Sequence, residues 1–133
     1  MPPIGLIGEA LTGSAIGAFF AVYDRLGTGF VEQIYVEALT RELRRRGHHV
    51  AREVSVPVFY MGEKIALQRL DVLVDSTLVV EVKAAPDTFS AGARQLFSYL
   101  RATRLEIGLL FTFGDRPEFK RVVCRNALKV HRD

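Results

Sequence analysis

Two apolar runs, Leu70-Asp71-Val72-Leu73-Val74 and Leu78-Val79-Val80-Glu81-Val82-Lys83, are separated only by Asp75-Ser76-Thr77. Runs this uniformly apolar belong to strands covered on both faces, so the pair reads as an antiparallel hairpin in the centre of a sheet. The charges inside them are the anomaly, because an ionised carboxylate held in such a strand without a partner is strongly destabilising. Strand alternation turns Glu81 and Lys83 to one face and Val82 to the other, and the short turn can bring Asp71 alongside. At about 4 Å in an effective dielectric of about 20, two carboxylates repel by roughly 4 kcal/mol.

Lys83 offsets part of that repulsion. A divalent cation would offset more, and it would give two acids a reason to converge. Oxygen ligands of this kind suit Mg²⁺ or Mn²⁺. Such an ion polarises a phosphodiester oxygen and lowers the pKa of a bound water, while an adjacent lysine orients that water or stabilises developing charge. The same trio also reads as an ion-pair network at the end of the sheet, and the residues alone leave both readings open. The acid-x-Lys spacing recurs in Glu118-Phe119-Lys120, where the acid follows Pro117 in what reads as a polar loop.

Working outward, Val50 to Tyr60 alternates, with Val54, Val56 and Val58 on one face, and Met61-Gly62-Glu63-Lys64 reads as a hairpin turn. Pro57 places that strand at an edge. Upstream, Phe30 to Arg46 carries Val31, Ile34, Tyr35, Ala38, Leu39 and Leu43 at helical spacing and ends at Gly47. Before the Gly27-Thr28-Gly29 break, residues 6 to 25 predict a further helix, rich in small residues and packed closely on a neighbour. Glu9 interrupts the apolar run from Leu6 to Val22 and no basic residue precedes it, so a buried helix is expected there, not a signal or membrane segment. Downstream, after a loop containing Pro86, residues 91 to 104 predict a helix, Ile107 to Phe113 a buried strand and Phe119 to Cys124 another. The helix between the third and fourth strands permits a right-handed crossover and a parallel pair. The expected fold is α/β (α+β), with a mixed sheet flanked by helices in one domain spanning residues 1–133.

The 133 residues are 49% hydrophobic and 25% charged, enough for one sizeable core, with disorder expected only at the ends. The single cysteine, Cys124, excludes an internal disulfide, no Cys/His cluster has zinc spacing, and the cytoplasm is the expected location. Lys plus Arg (18) exceeds Asp plus Glu (15), a net charge of +3 that permits a nucleic-acid partner. The cluster Arg41, Arg44, Arg45, Arg46 and Arg52 reads either as a phosphate contact or as a helix end favoured by the dipole. His48, His49 and His131 are expected on the surface, without metal.

Gly29-x-x-Glu32-x-x-Tyr35 puts an acid and a phenol on one face at the start of the second helix, and Gln95-x-x-x-Tyr99 puts an amide and a phenol one turn apart. Alone, each is equally a helix-start or core-edge feature. Together, Leu26 to Tyr35, Arg69 to Val74, Val80-Glu81-Val82-Lys83-Ala84 and Gln95-Leu96-Phe97-Ser98-Tyr99-Leu100 resemble, in order and spacing, the GxxExxY protein family, a branch of the PD-(D/E)XK nuclease superfamily. The resemblance runs from about Leu11 to Asn126. It implies a restriction-endonuclease-like core, with metal held by Asp71, Glu81, the Val82 carbonyl and a supporting Glu32, and a catalytic Lys83. It also implies that Gln95 and Tyr99 meet the substrate, and Tyr35 and Arg45 are expected there too. Where the family often carries a His-Glu pair shortly before the glutamine, this chain has Gly92 and Ala93.

The leading expectation is a Mg²⁺- or Mn²⁺-dependent nuclease acting on DNA or RNA, possible as a homodimer given the small surface of one chain. The alternative is a catalytically inactive module of the same fold that binds nucleic acid or a protein.

Overall fold

The computed structural model describes residues 8–84 and 89–129. The expected loop around Pro86, the start of the first helix at residue 6 and His131 lie outside them. Two helices come first, α1 (Glu9–Leu26) and α2 (Glu32–Arg45), then strands β1 (Val50–Tyr60), β2 (Glu63–Val74) and β3 (Leu78–Lys83). Helix α3 (Phe89–Arg101), strands β4 (Ile107–Phe113) and β5 (Pro117–Val123) and a short 3-10 turn, Asn126–Leu128, complete the order. The strands form one five-stranded sheet in sequence order, antiparallel except for the parallel β3–β4 pair that the α3 crossover makes possible.

Each face of the sheet carries its own core. Ala15, Ala18 and Phe19 of α1 and Val36, Leu39 and Leu43 of α2 bury against Val72, Val80, Val82, Leu109 and Phe111. The small residues of α1 thus bring it close to the sheet, where Phe19 stacks on Phe111 at 4.4 Å. No described helix is long and apolar enough to cross a membrane. On the other face, Leu96, Tyr99 and Leu100 of α3 cover Leu70, Val79 and Leu110. β3 is therefore buried from both sides up to Val82.

The β1–β2 hairpin closes through Met61 and Gly62, both with positive φ (49° and 83°), the primed two-residue geometry that matches strand twist and for which glycine is suited. One irregularity bears on the site. Pairing passes from Val54↔Leu70 to Arg52↔Val72, leaving Glu53 and Asp71 unpaired, and Glu53 takes a left-handed φ of 55°. Strict alternation would put Leu70 and Val72 on one face. Instead Leu70 packs under α3 and Val72 under α1 and α2, so the break at Asp71 re-aims the strand.

His48 is not the surface residue expected. It is largely buried, with Nε2 2.7 Å from Ser14 Oγ of α1 and Nδ1 2.7 Å from Asp75 Oδ2 of the β2–β3 turn. The other oxygen of Asp75 accepts the His49 backbone N–H at 2.8 Å. Three segments far apart in sequence are tied at this point.

Candidate active site

The hairpin register fixes the two acids. Val74↔Leu78, Leu73↔Val79 and Val72↔Val80 pair, which makes Asp71 and Glu81 the next residues along their strands. Both line one cleft of about 400 Å³. Lys83 follows Glu81 on the same face of β3, Glu32 enters from the first turn of α2, and Gln95 and Tyr99 enter from α3 on the other side.

Glu81 is only 1% exposed. Its Oε2 accepts a hydrogen bond from Lys83 Nζ at 3.1 Å, while its Oε1 is buried with no hydrogen-bond partner. Burial, reinforced by the Asp71 charge, pushes the Glu81 carboxyl up to about 7 despite the pull of Lys83. Burial also raises Asp71 and Glu32 above the usual carboxylate range, with Lys83 acting against it in both. For Lys83, burial acts to lower the pKa, but Glu81, Glu32 and Asp71 together outweigh it and hold the value above normal. The ammonium therefore stays charged at neutral pH. Burial and the nearby Glu81 raise the Tyr99 phenol, whose oxygen accepts a hydrogen bond from Gln95 Nε2.

A buried carboxylate oxygen without a donor, beside a second raised acid, is a site short of positive charge. Lys83 and Arg69 bring two cations to three acids, and Arg69 is shared with Glu53 at 4.0 Å. The donor set fits a hard divalent ion that binds through one or two carboxylates and keeps several waters. Among the described residues no three His, Cys, Asp or Glu side chains converge to cage a metal, so Glu32 borders the cleft without completing a three-acid cage.

Of the residues expected from sequence, Asp71, Glu81, Lys83, Glu32, Gln95 and Tyr99 meet in this cleft. Two do not. Tyr35 is fully buried, its ring stacked 4.1 Å from that of Phe113 and its hydroxyl donating to the Gly27 carbonyl at 2.7 Å and accepting the Phe30 N–H at 3.2 Å. It fixes the loop before α2 and has no atom left for a substrate. Arg45 lies in the last turn of α2, at the opposite end from Glu32, and pairs with Glu42 at 3.7 Å. Its neighbours are also engaged: Arg41 and Arg52 with Glu37, Arg46 with Glu42, and Arg44 with the Val50 carbonyl. The arginine cluster is a helix-end ion-pair network. The Val82 side chain lies in the core under α1 and α2, on the face opposite the cleft. Glu118 and Lys120 belong to exposed edge strand β5, not to a loop, and stay clear of the cleft.

Gln68 and Arg69 also line the cleft and were not expected there from the sequence, while Gly92, noted above as a departure from the family pattern, has a packing role. Gln68 donates from Nε2 to Ser98 Oγ at 2.8 Å and keeps a buried Oε1 with no partner. A polar residue at a strand position facing a helix was the only signal. Gly92 lets α3 approach β3: a Cβ there would meet Leu110 Cδ1 at 2.9 Å and Lys83 Cγ at 3.2 Å. The absent side chain leaves room for the lysine stem.

The chain is similar in fold to two solved structures of low sequence identity. One, the crystal structure of SSO0001, is 19% identical with a TM-score of 0.56, over 89% of this chain and 60% of that one. The other, an alkaline exonuclease (LHK-Exo) from Laribacter hongkongensis, is 16% identical with a TM-score of 0.49, over 72% of this chain and 57% of that one. The matched regions thus amount to less than two thirds of either structure's length. No curated protein matches. A family model described as the PD-(D/E)XK nuclease superfamily matches residues 9–122, a span that includes both helices before the sheet and every residue of the acid cleft. On that match the chain belongs to the PD-(D/E)XK nuclease superfamily.

Proposed function

We propose that this chain is a divalent-metal-dependent phosphodiesterase that cleaves nucleic acid, with Asp71 and Glu81 as the principal ligands for Mg²⁺ or Mn²⁺. The carbonyl of Val82 and, through water, Glu32 would complete the protein's share. The single observation that carries this reading is Glu81, a buried acid with one oxygen on Lys83 and the other unpartnered beside Asp71. When bound, the ion would polarise the scissile phosphate and lower the pKa of a water.

The chain's own groups supply the rest. Lys83, kept protonated by its acids, is a donor to the charge that develops on the phosphate and not the base that takes the water's proton. Tyr99, its phenol held neutral, and Gln95 present donors from the opposite wall to orient phosphate oxygens. Glu32, raised by burial, is positioned to accept a proton. Within the superfamily, Gly29-x-x-Glu32-x-x-Tyr35 supports membership of the GxxExxY branch.

The test is cleavage of labelled single- and double-stranded DNA and RNA with Mn²⁺ or Mg²⁺, beside Asp71→Asn and Lys83→Ala purified in parallel. Activity that needs the metal and disappears in both variants is expected. Equal cleavage by the native chain and the Lys83→Ala variant would identify a contaminant and remove the proposal.

A further inference from the structure

Next to the acid cleft, a second and larger groove of about 1080 Å³ runs between the β1–β2 hairpin and the outer side of α3. The two border one another at Gln68, which lines both. The lining of the larger groove includes the aliphatic side chains of Pro57, Val58 and Met61, and beside them aromatic and basic groups. Phe59 and Tyr60 on the hairpin and Phe97 on α3 are 47%, 65% and 40% exposed, large amounts for aromatic side chains. Arg94 on α3 and Arg104 just beyond it are exposed along the same groove. Among the described residues no carboxylate lines it.

We propose that this groove holds a single-stranded segment of nucleic acid and leads it to the acid cleft. The inference rests on the phosphodiesterase reading above and names its substrate class. Exposed ring faces need a partner with free π-faces, and cations beside them need an anion. An unpaired strand offers both at every nucleotide, whereas a duplex presents its backbone and base edges but keeps its ring faces stacked inside. That no described acid lines the groove suits a polyanion. Gln68, held by its bond to Ser98, lines both grooves.

Fluorescence anisotropy in EDTA, where the metal step is blocked, tests this on the full chain with labelled single-stranded and duplex oligonucleotides, DNA and RNA. Single strands should bind more tightly than duplex of the same length. Tyr60→Ala and Phe97→Ala should each weaken single-strand binding by about fivefold or more. Arg94→Gln with Arg104→Gln should flatten the dependence of log affinity on log salt. Ile65→Ser and Leu67→Ser serve as controls: both residues are exposed on the same hairpin but outside the groove, and binding should not change. Melting curves confirm that each variant is folded.

Equal affinity for duplex and single strand, or folded groove variants that bind like the native chain, would overturn the proposal, as would tight binding of an apolar peptide with none of an oligonucleotide. Its failure is separable from failure of the phosphodiesterase reading. In the first case metal-dependent cleavage survives Tyr60→Ala, and in the second single-strand binding persists without cleavage.

Discussion

Replacing Glu81 with glutamine should change the pH dependence of stability in a calculable way. In the folded chain this carboxyl is pushed from its ordinary 4.5 up to about 7, chiefly by burial. A raised acid is one whose ionisation the fold resists, so its favourable contribution is complete below the unfolded value and is lost as pH climbs through the folded one. Between 4.5 and about 7, at about 1.4 kcal/mol per pKa unit, the loss approaches about 3 kcal/mol. For a chain of this size that is roughly 12 °C in melting temperature as an upper bound. Thermal melts of the native chain and Glu81→Gln from pH 4.5 to 8.5 in EDTA isolate the effect, since distant groups cancel in the difference. The glutamine variant should gain on the native chain steadily up to about pH 7 and then hold level, less whatever Lys83 loses with its partner. Millimolar Mn²⁺ at pH 8 should restore the native chain and leave the variant unmoved. A difference that is flat across the window would refute the claim that Glu81 is buried without adequate compensation.

Other outcomes follow from neighbouring groups. Lys83→Ala removes the cation that opposes the raised acids most strongly, so half-saturation with Mn²⁺ followed by calorimetry should need a higher pH than in the native chain. Gly92→Ala crowds Leu110 and the Lys83 stem, and the cleavage rate should fall far more than the melting temperature, because a helical alanine returns up to about 1 kcal/mol of propensity. Tyr35→Phe should cost about 1–2 kcal/mol in urea unfolding, by loss of its bonds to Gly27 and Phe30, without changing KM. His48→Ala should cost about 1–3 kcal/mol by freeing Ser14 and Asp75.

What sequence patterning revealed and what it hid divide along physical lines. Strand order, the parallel pair and the edge position of β1 were legible because each rests on a local signal: Met61-Gly62 closes a hairpin, Pro57 avoids a central ladder, and the helical spacing of Leu96, Tyr99 and Leu100 demands a crossover. The buried acids were legible because a charge in an apolar run is conspicuous. Arg45 and Tyr35 misled because spacing gives the face of a helix but not what that face meets: Arg45 finds Glu42, and Tyr35 turns into the core to hold a loop carbonyl. Nothing in the sequence marked the unpaired Asp71 opposite left-handed Glu53, since a gap in the ladder depends on the partner strand. Gln68 and Gly92 matter through what α3 brings against them, a tertiary fact with no local pattern.

The parallel pairing of β3 with β4 bears on how the chain acquires its shape. β1, β2 and β3 meet through short turns, but the second edge of the strand that carries Glu81 is satisfied only when Leu78 to Lys83 line up with Ile107 to Thr112 after the crossover. Contacts between segments so distant in sequence form slowly, after the entropy of closing the intervening loop has been overcome. Dehydration of Glu81 is thus deferred to a late event, and its ionisation opposes that event directly. Stopped-flow refolding should be quicker at pH 5 than at pH 8 in EDTA, with Mn²⁺ narrowing the gap.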